Sequence, residues 1–222
     1  MELSELLEHL RELDCASIAD ADKSLEVMDP ALRPVKPGLK LVGVARTVSC
    51  HEDFLAVIDA LNDSVEGEVL VVDTNASQRA VVGELFSIEA SRRGLAGIVV
   101  DGPVRDVQTI RSLSMPVYAR SYCPVSGTTQ EIGEQQIPVK CGGVTVNPGD
   151  IVFGDDDGIL VANIETFSAL IEQASSIQRI ESEIRNRLAA GECLLDMLNA
   201  DEHLDARKQG RVSTLQFVVG ND

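Results

Sequence analysis

Leucines at positions 3, 6, 7, 10 and 13 recur at helical spacing, so the chain is predicted to open with a short amphipathic helix. "DPALRPVKPG" (29–38) carries three prolines and a glycine and reads as extended loop. A strand-like run follows at 39–50, then a helix at 54–61. "GEVLVVDT" (67–74) is an apolar run entered by glycine and left by aspartate, the pattern of a buried strand, and "GLAGIVVDG" (94–102) repeats it. The segment between them, 77–93, is predicted helical, in two pieces around Gly83. A short helix over 103–113 and a strand at 115–120 continue an alternation that argues for α/β organisation with parallel pairing.

The pattern then changes. Residues 137–162 hold short β runs separated by Asn-Pro-Gly-Asp and Asp-Asp-Asp-Gly turns, an antiparallel signature. Helical periodicity returns with Ile164, Phe167, Leu170, Ile171, Ile177, Ile180, Ile184 and Leu188, and Gly191 breaks it. Beyond residue 200 the chain is polar until "LQFVV" (215–219), to which the pattern assigns no element. The expected organisation is one α/β domain over 1–163 and a helical C-terminal extension over 164–222.

Composition adds constraints. Trp is absent and aromatics make up 3%, so the core must be aliphatic. A net charge of −17 argues against nucleic acid as a direct partner and against anionic membrane surfaces, because both need clustered Lys and Arg. A small acidic substrate stays open, since one local cation can outweigh a diffuse field. The five cysteines (15, 50, 123, 141 and 193) are odd in number and never form a CxxC pair, so neither a disulfide framework nor a zinc site is expected. With no secretory pattern in the acidic opening residues, a cytoplasmic location with reduced thiols is the expectation.

Two stretches invite chemistry. In "VVDGPVRD" (99–106) a buried strand gives way at once to Arg105 and Asp106. Pro103 suits the first turn of a helix and Asp106 a helix start, which is one explanation. The other is a ligand site at a strand end, where a guanidinium clamps a carboxylate and an aspartate holds Mg²⁺. In "VVGELFSIEA" (81–90) a glycine interrupts a helical pattern; close packing of the helix on the sheet is the first explanation of Gly83, and the other is a helix starting there that leaves the amides of Leu85 and Phe86 free for an anion.

Together these pieces match an acidic-X20-Arg-Asp signature: Glu84, twenty intervening residues, then Arg105-Asp106. With "SIADA" (17–21), "VGVARTV" (42–48), "GEVLVVD" (67–73), "CGGVTVNPGD" (141–150) and "DDDGILV" (155–161), the chain resembles the RraA-like family over about Ser17 to Ala162. That family contains metal-dependent 4-hydroxy-4-methyl-2-oxoglutarate and 4-carboxy-4-hydroxy-2-oxoadipate aldolases and proteins named as regulators of ribonuclease activity. The resemblance implies a swivelling β/β/α domain assembled as a homotrimer or hexamer. It implies Mg²⁺ or Mn²⁺ on Asp106 and the 2-keto-acid end of a small keto acid on Arg105. The substrate carboxylate would lie on the Leu85 and Phe86 amides beside Gly83, and Glu84 would act through a metal-bound water. In the aldolases an acid often follows Arg-Asp after two positions; here Thr109 stands there.

The implied activity is cleavage of 4-hydroxy-2-keto diacids to pyruvate, with oxaloacetate decarboxylation alongside. A non-enzymatic regulator binding ribonuclease E, and a relative acting on another keto acid, are the alternatives. His9, His51 and His203 lie outside the motifs, and Lys140 reads as an outward-facing strand residue rather than a Schiff-base lysine. "DDDG" (155–158) lacks EF-hand spacing and reads as a turn.

Overall fold

Residues 69–72 and 97–100 are apolar without interruption because each run lies inside a sheet covered on both faces. The computed structural model describes residues 1–218. In chain order the elements are α1 (Leu3–Glu12), α2 (Cys15–Ala21), β1 (Glu26–Val27), β2 (Arg33–Pro34), β3 (Leu41–Ser49), α3 (Leu55–Asp63), β4 (Glu68–Asp73) and α4 (Glu84–Arg92). They continue with β5 (Gly97–Val104), α5 (Val107–Ile110), β6 (Val117–Tyr122), β7 (Glu134–Gln135), β8 (Val139–Cys141), β9 (Val144–Val146), β10 (Ile151–Gly154) and β11 (Ile159–Ala162). Helices α6 (Ile164–Ala189) and α7 (Ala200–Lys208) close the series.

The central sheet runs β1-β11-β10-β3-β4-β5-β6-β2, with β7 pairing β3. Strands β3 to β6 are mutually parallel, and β10, β11, β1 and β2 pair antiparallel. Alternation along each parallel strand feeds two cores. Leu70, Val72, Ile98 and Val100 face the layer of Val57, Ala60 and Leu61 from α3 and Ala90 from α4. Val69, Val71 and Val99 face Val139, Cys141, Val144 and Val146 of the separate β8–β9 hairpin. Hairpin, sheet and helices thus form the β/β/α layering implied by the resemblance. Lys140 points outward from the hairpin, between buried Val139 and Cys141.

Two predicted helices are corrected. Residues 77–83 are not helical: Ala80 bridges Ser126 and Val82 bridges Val104, so α4 begins only at Glu84. Three consecutive buried residues (Ala80, Val81, Val82) fit strand-like pairing, not one helical face. Residues 103–104 belong to β5, and helix is confined to 107–110. Pro103 therefore sits in a strand, where its missing N–H falls at the register shift between Val100 and Pro103.

The chain divides into two compact units, Met1–Ile171 and Glu172 onward. The second has its own small cluster of Ile180, Ile184 and Met197, and a bridge between Leu198 and Phe217. Of the unassigned "LQFVV" stretch, Val219 lies outside the described residues. Among the described residues no helix is long and apolar enough to cross a membrane.

Candidate active site

The site is built where β5 ends. The backbone N–H of Arg105 donates to the carbonyl of Val82 at 3.1 Å, which ties the strand end to the segment leading into α4. Asp106 then takes a left-handed conformation with φ 57°, uncommon for a residue with a side chain. Its Oδ2 accepts the Glu84 N–H at 3.2 Å and lies 3.4 Å from Arg105 Nε. The N-terminus of α4 is therefore capped by a carboxylate from the turn after β5, since its own N-cap, Gly83, has no side chain to offer.

Gly83 is required by this close approach. A β-carbon there would sit 2.6 Å from Asp106 Oδ2 and 2.9 Å from Arg105 Cγ. The two explanations of the sequence now separate: Asp106 is the N-cap residue of α5, but its side chain caps α4 instead.

Glu84 is held at its other end as well. Thr109 Oγ1, one turn beyond Asp106, donates to Glu84 Oε2 at 2.6 Å. Main chain and side chain of Glu84 are thus both bound by residues 106–109, the reciprocity of a capping box distributed over two helices. The amides of Leu85 and Phe86 have no acceptor among the described residues and remain available to an anion.

Gly83, Leu85, Phe86, Arg105 and Asp106 line one pocket of about 220 Å³. Its remaining walls include Phe54, Ile58 and Ser126, with Phe54 and Phe86 in edge contact at 5.6 Å between ring centres. Five of the six predicted site residues therefore converge there. Glu84 is not on the lining; it stands just behind, between Asp106 and Thr109. A larger cleft of about 550 Å³ takes in Asp101, Gly102 and Pro103 of the 99–106 stretch but none of the six predicted site residues, and its Arg120 is already engaged by Asp101 and Asp29.

Sequence reasoning missed Asp53, which organises the pocket's far wall. Burial alone would raise its pKa, but hydrogen bonds from Thr128 Oγ1 and the amides of Leu55, Gln130 and Glu131 hold it down to about 2. It anchors the loop after Ser126 to the start of α3. An aspartate two residues before a helical apolar pattern was a visible signal for the α3 contact; the bonds to 128–131 had none. The sequence shows Thr109 only as the absence of an acid; its role as a donor to Glu84 depends on the fold. The thiols of Cys50 and Cys141 are pushed up by burial, to about 12 for Cys50, as inert packing residues are. His51 sits in a loop, its Nδ1 3.1 Å from the carbonyl oxygen of Asn75.

The donor set fits a hard divalent cation. Among the described residues no three His, Cys, Asp or Glu side chains form a cage. Asp106, its side chain 36% exposed, offers a carboxylate with room for water, and Mg²⁺ is commonly bound through one or two carboxylates with several waters retained.

The fold defines a class, and comparison with known proteins agrees. The family model RraA-like (Aldolase/RraA) matches residues 15–161, and the chain belongs to that family. It is 37% identical over 174 residues to an uncharacterized protein of Methanocaldococcus jannaschii, covering 77% of this chain and 84% of that one. It is 31% identical over 185 residues to a protein of Halalkalibacterium halodurans provisionally named 4-hydroxy-4-methyl-2-oxoglutarate aldolase, covering 82% and 88%. Among solved structures it resembles RraAS2 of Streptomyces coelicolor, an unusual member of the RNase ES inhibitor RraA protein family. The TM-score is 0.71 and the identity 28%, with 82% of this chain and 96% of that one covered.

Proposed function

We propose that this chain is a divalent-cation-dependent aldolase that cleaves 4-hydroxy-2-oxo acids, the class to which 4-hydroxy-4-methyl-2-oxoglutarate belongs, to pyruvate and a second oxo compound. The observation that carries the reading is the convergence of Arg105, Asp106 and the free amides of α4 at one pocket.

Arg105 grips the 2-oxo-acid end of the substrate, and the Leu85 and Phe86 amides take its carboxylate. Asp106, with water, would hold Mg²⁺ or Mn²⁺, and such a cation when bound supplies Lewis-acid polarisation of the 2-oxo oxygen. In the cleavage the proton of the 4-hydroxyl passes through water to the Glu84 carboxylate, C4 becomes a carbonyl, and the C3–C4 bond breaks. The electron pair left on C3 delocalises toward the 2-oxo oxygen, where Arg105 provides fixed positive charge. Return of that proton from Glu84 through water to C3 completes pyruvate and restores the carboxylate. Loss of CO₂ from oxaloacetate generates the same carbanion, so decarboxylation follows from the same groups. We extend the reading to a homotrimer or hexamer, for which light scattering should give three or six times the chain mass.

Pyruvate release measured with EDTA and after Mg²⁺ or Mn²⁺ addition tests the mechanism. Asp106→Ala should abolish cation-dependent turnover. Arg105→Lys, which keeps charge but loses the planar fork, should lower it about a hundredfold. Full turnover in EDTA, or near-wild-type rates in either variant, would defeat the assignment. One observation favours a second reading, a protein-binding regulator: the −17 charge suits basic segments of a ribonuclease partner. That reading requires Asp106→Ala to inhibit such a ribonuclease as well as the wild type does.

A further inference from the structure

Among the described residues, two arginines of the Met1–Ile171 unit lie against a carboxylate without donating a guanidinium hydrogen bond to it. Arg105 Nε is 3.4 Å from Asp106 Oδ2, and Arg79 Nε is 3.2 Å from Glu52 Oε2. Arg46, Arg92, Arg93 and Arg120, by contrast, each donate to the acid they pair with. A guanidinium carries five donors in a fixed fork. Arg79 therefore shares with Arg105 a fork whose donors are unspent, and the proposed reaction uses only Arg105.

Arg79 stands where one wall of the pocket begins. Ala80, Val81, Val82 and Gly83 line the pocket one after another, and Arg105 is fastened at the Gly83 end by its N–H to the Val82 carbonyl. At the other end the Ser77 hydroxyl fixes the backbone, accepting the Arg79 N–H at 3.0 Å and donating to the Arg79 carbonyl at 2.9 Å. Glu52 is fixed as well: its φ is 51°, and its carbonyl accepts the Thr128 N–H at 2.8 Å. Phe54, two residues further on, belongs to the lining. Both main chains are thus held, while the paired side chains stay 42% and 37% exposed in the single chain. From Arg79 to Gly83, extended chain covers about 13 Å, and a five-carbon diacid with a guanidinium at each end spans about the same.

Resting on the aldolase reading, we infer that Arg79 is a specificity-determining residue: it receives the second carboxylate of a 4-hydroxy-2-oxo diacid, exchanging Glu52 for the substrate. Arg105 then holds the 2-oxo-acid end and Arg79 the far end, with C4 between them. Glu52 neutralises Arg79 in the free protein, and a monoacid has no carboxylate with which to displace it. Oxaloacetate separates the roles of the two arginines. Its second carboxylate is the group that leaves as CO₂, so a cation gripping that group favours the reactant over the transition state.

Arg79→Met and Glu52→Gln, measured in the intact protein with Mg²⁺, test the exchange. Arg79→Met keeps the stem and removes the fork. The ratio of kcat/KM for 4-hydroxy-4-methyl-2-oxoglutarate cleavage to kcat/KM for oxaloacetate decarboxylation should then fall about tenfold or more. Calorimetry compares 2-oxoglutarate with 2-oxopentanoate, neither of which can undergo the cleavage. The preference for the diacid should fall about tenfold in Arg79→Met. In Glu52→Gln, which releases Arg79, it should rise about threefold, the worth of an exposed ion pair. A pair that only fastens two segments together is broken alike by both substitutions. Preferences that move in the same direction in the two variants, or that stay at the wild-type value, overturn the inference and leave the aldolase reading standing. If the wild type neither cleaves the hydroxy acid nor decarboxylates oxaloacetate, the aldolase reading fails, and the two calorimetric preferences still decide whether Arg79 receives a second carboxylate.

Discussion

Thr109 donates a 2.6 Å hydrogen bond to Glu84, so the first residue of α4 is held by the helix that follows β5. Asp106 binds the main chain of the same glutamate. The acid, the arginine-bearing strand end and the helix N-terminus consequently form one mechanical unit, although Glu84 and Arg105 are separated by the whole of α4 and β5. A threonine at this position supplies a donor to Glu84, where an acid would instead compete with it for a proton.

Removing that donor should affect turnover more than folding. Thr109→Val deletes the hydroxyl and leaves Glu84 free to rotate. Loss of one hydrogen bond to a charged group costs about 1.5–3 kcal/mol at most, and part-exposed Glu84 can recover water. We expect kcat to fall about tenfold with KM little changed and the thermal midpoint nearly constant. Thr109→Ser should restore kcat. A Ser variant as slow as Val, or a Val variant at full speed, would remove Thr109 from the site's working parts.

Gly83 tests whether the close approach matters. Gly83→Ala places a methyl within 3 Å of both Asp106 Oδ2 and Arg105 Cγ, so those side chains must move outward. Its backbone is extended, with φ −144°, a conformation any residue adopts, so the fold should persist. The expected result is a cooperative melt near wild type, with Mg²⁺ affinity and pyruvate release both reduced at least tenfold. Isothermal titration beside the melt separates this from simple unfolding.

Asp53 predicts an acid limb in stability. Its folded pKa, about 2, lies below the ordinary carboxylate value near 4. The unfolded chain therefore binds the proton first as pH falls. The stabilisation from ionised Asp53 is complete above about pH 4 and is lost progressively between about 4 and 2. Asp53→Asn should cost about 1–2 kcal/mol at pH 7 and flatten the denaturant midpoint across that acid window. An unchanged acid limb in the variant would show that other carboxylates set it.

The local pattern by itself determined much of this protein. Apolar runs entered by glycine and left by aspartate marked β4 and β5, alternation with Asn-Pro-Gly and Asp-Gly turns marked the β9–β11 region, and leucine and isoleucine periodicity marked α1 and α6. Those features are local, because strand burial and helix amphipathicity are written in the periods 2 and 3.6. The spacing from Glu84 to Arg105-Asp106 was also legible, as a motif, without its geometry. Tertiary structure alone decided the rest. Ala80 to Val82 became extended because Ser126 and Val104 pair with them, and Pro103 entered a strand because its missing donor falls at a register shift. Phe54, Ile58 and Ser126 joined the pocket from distant positions, and Asp53 pinned the loop at 128–131. Such contacts depend on which segments the sheet order brings side by side, and sheet order is a property of long-range pairing that no short window of sequence contains.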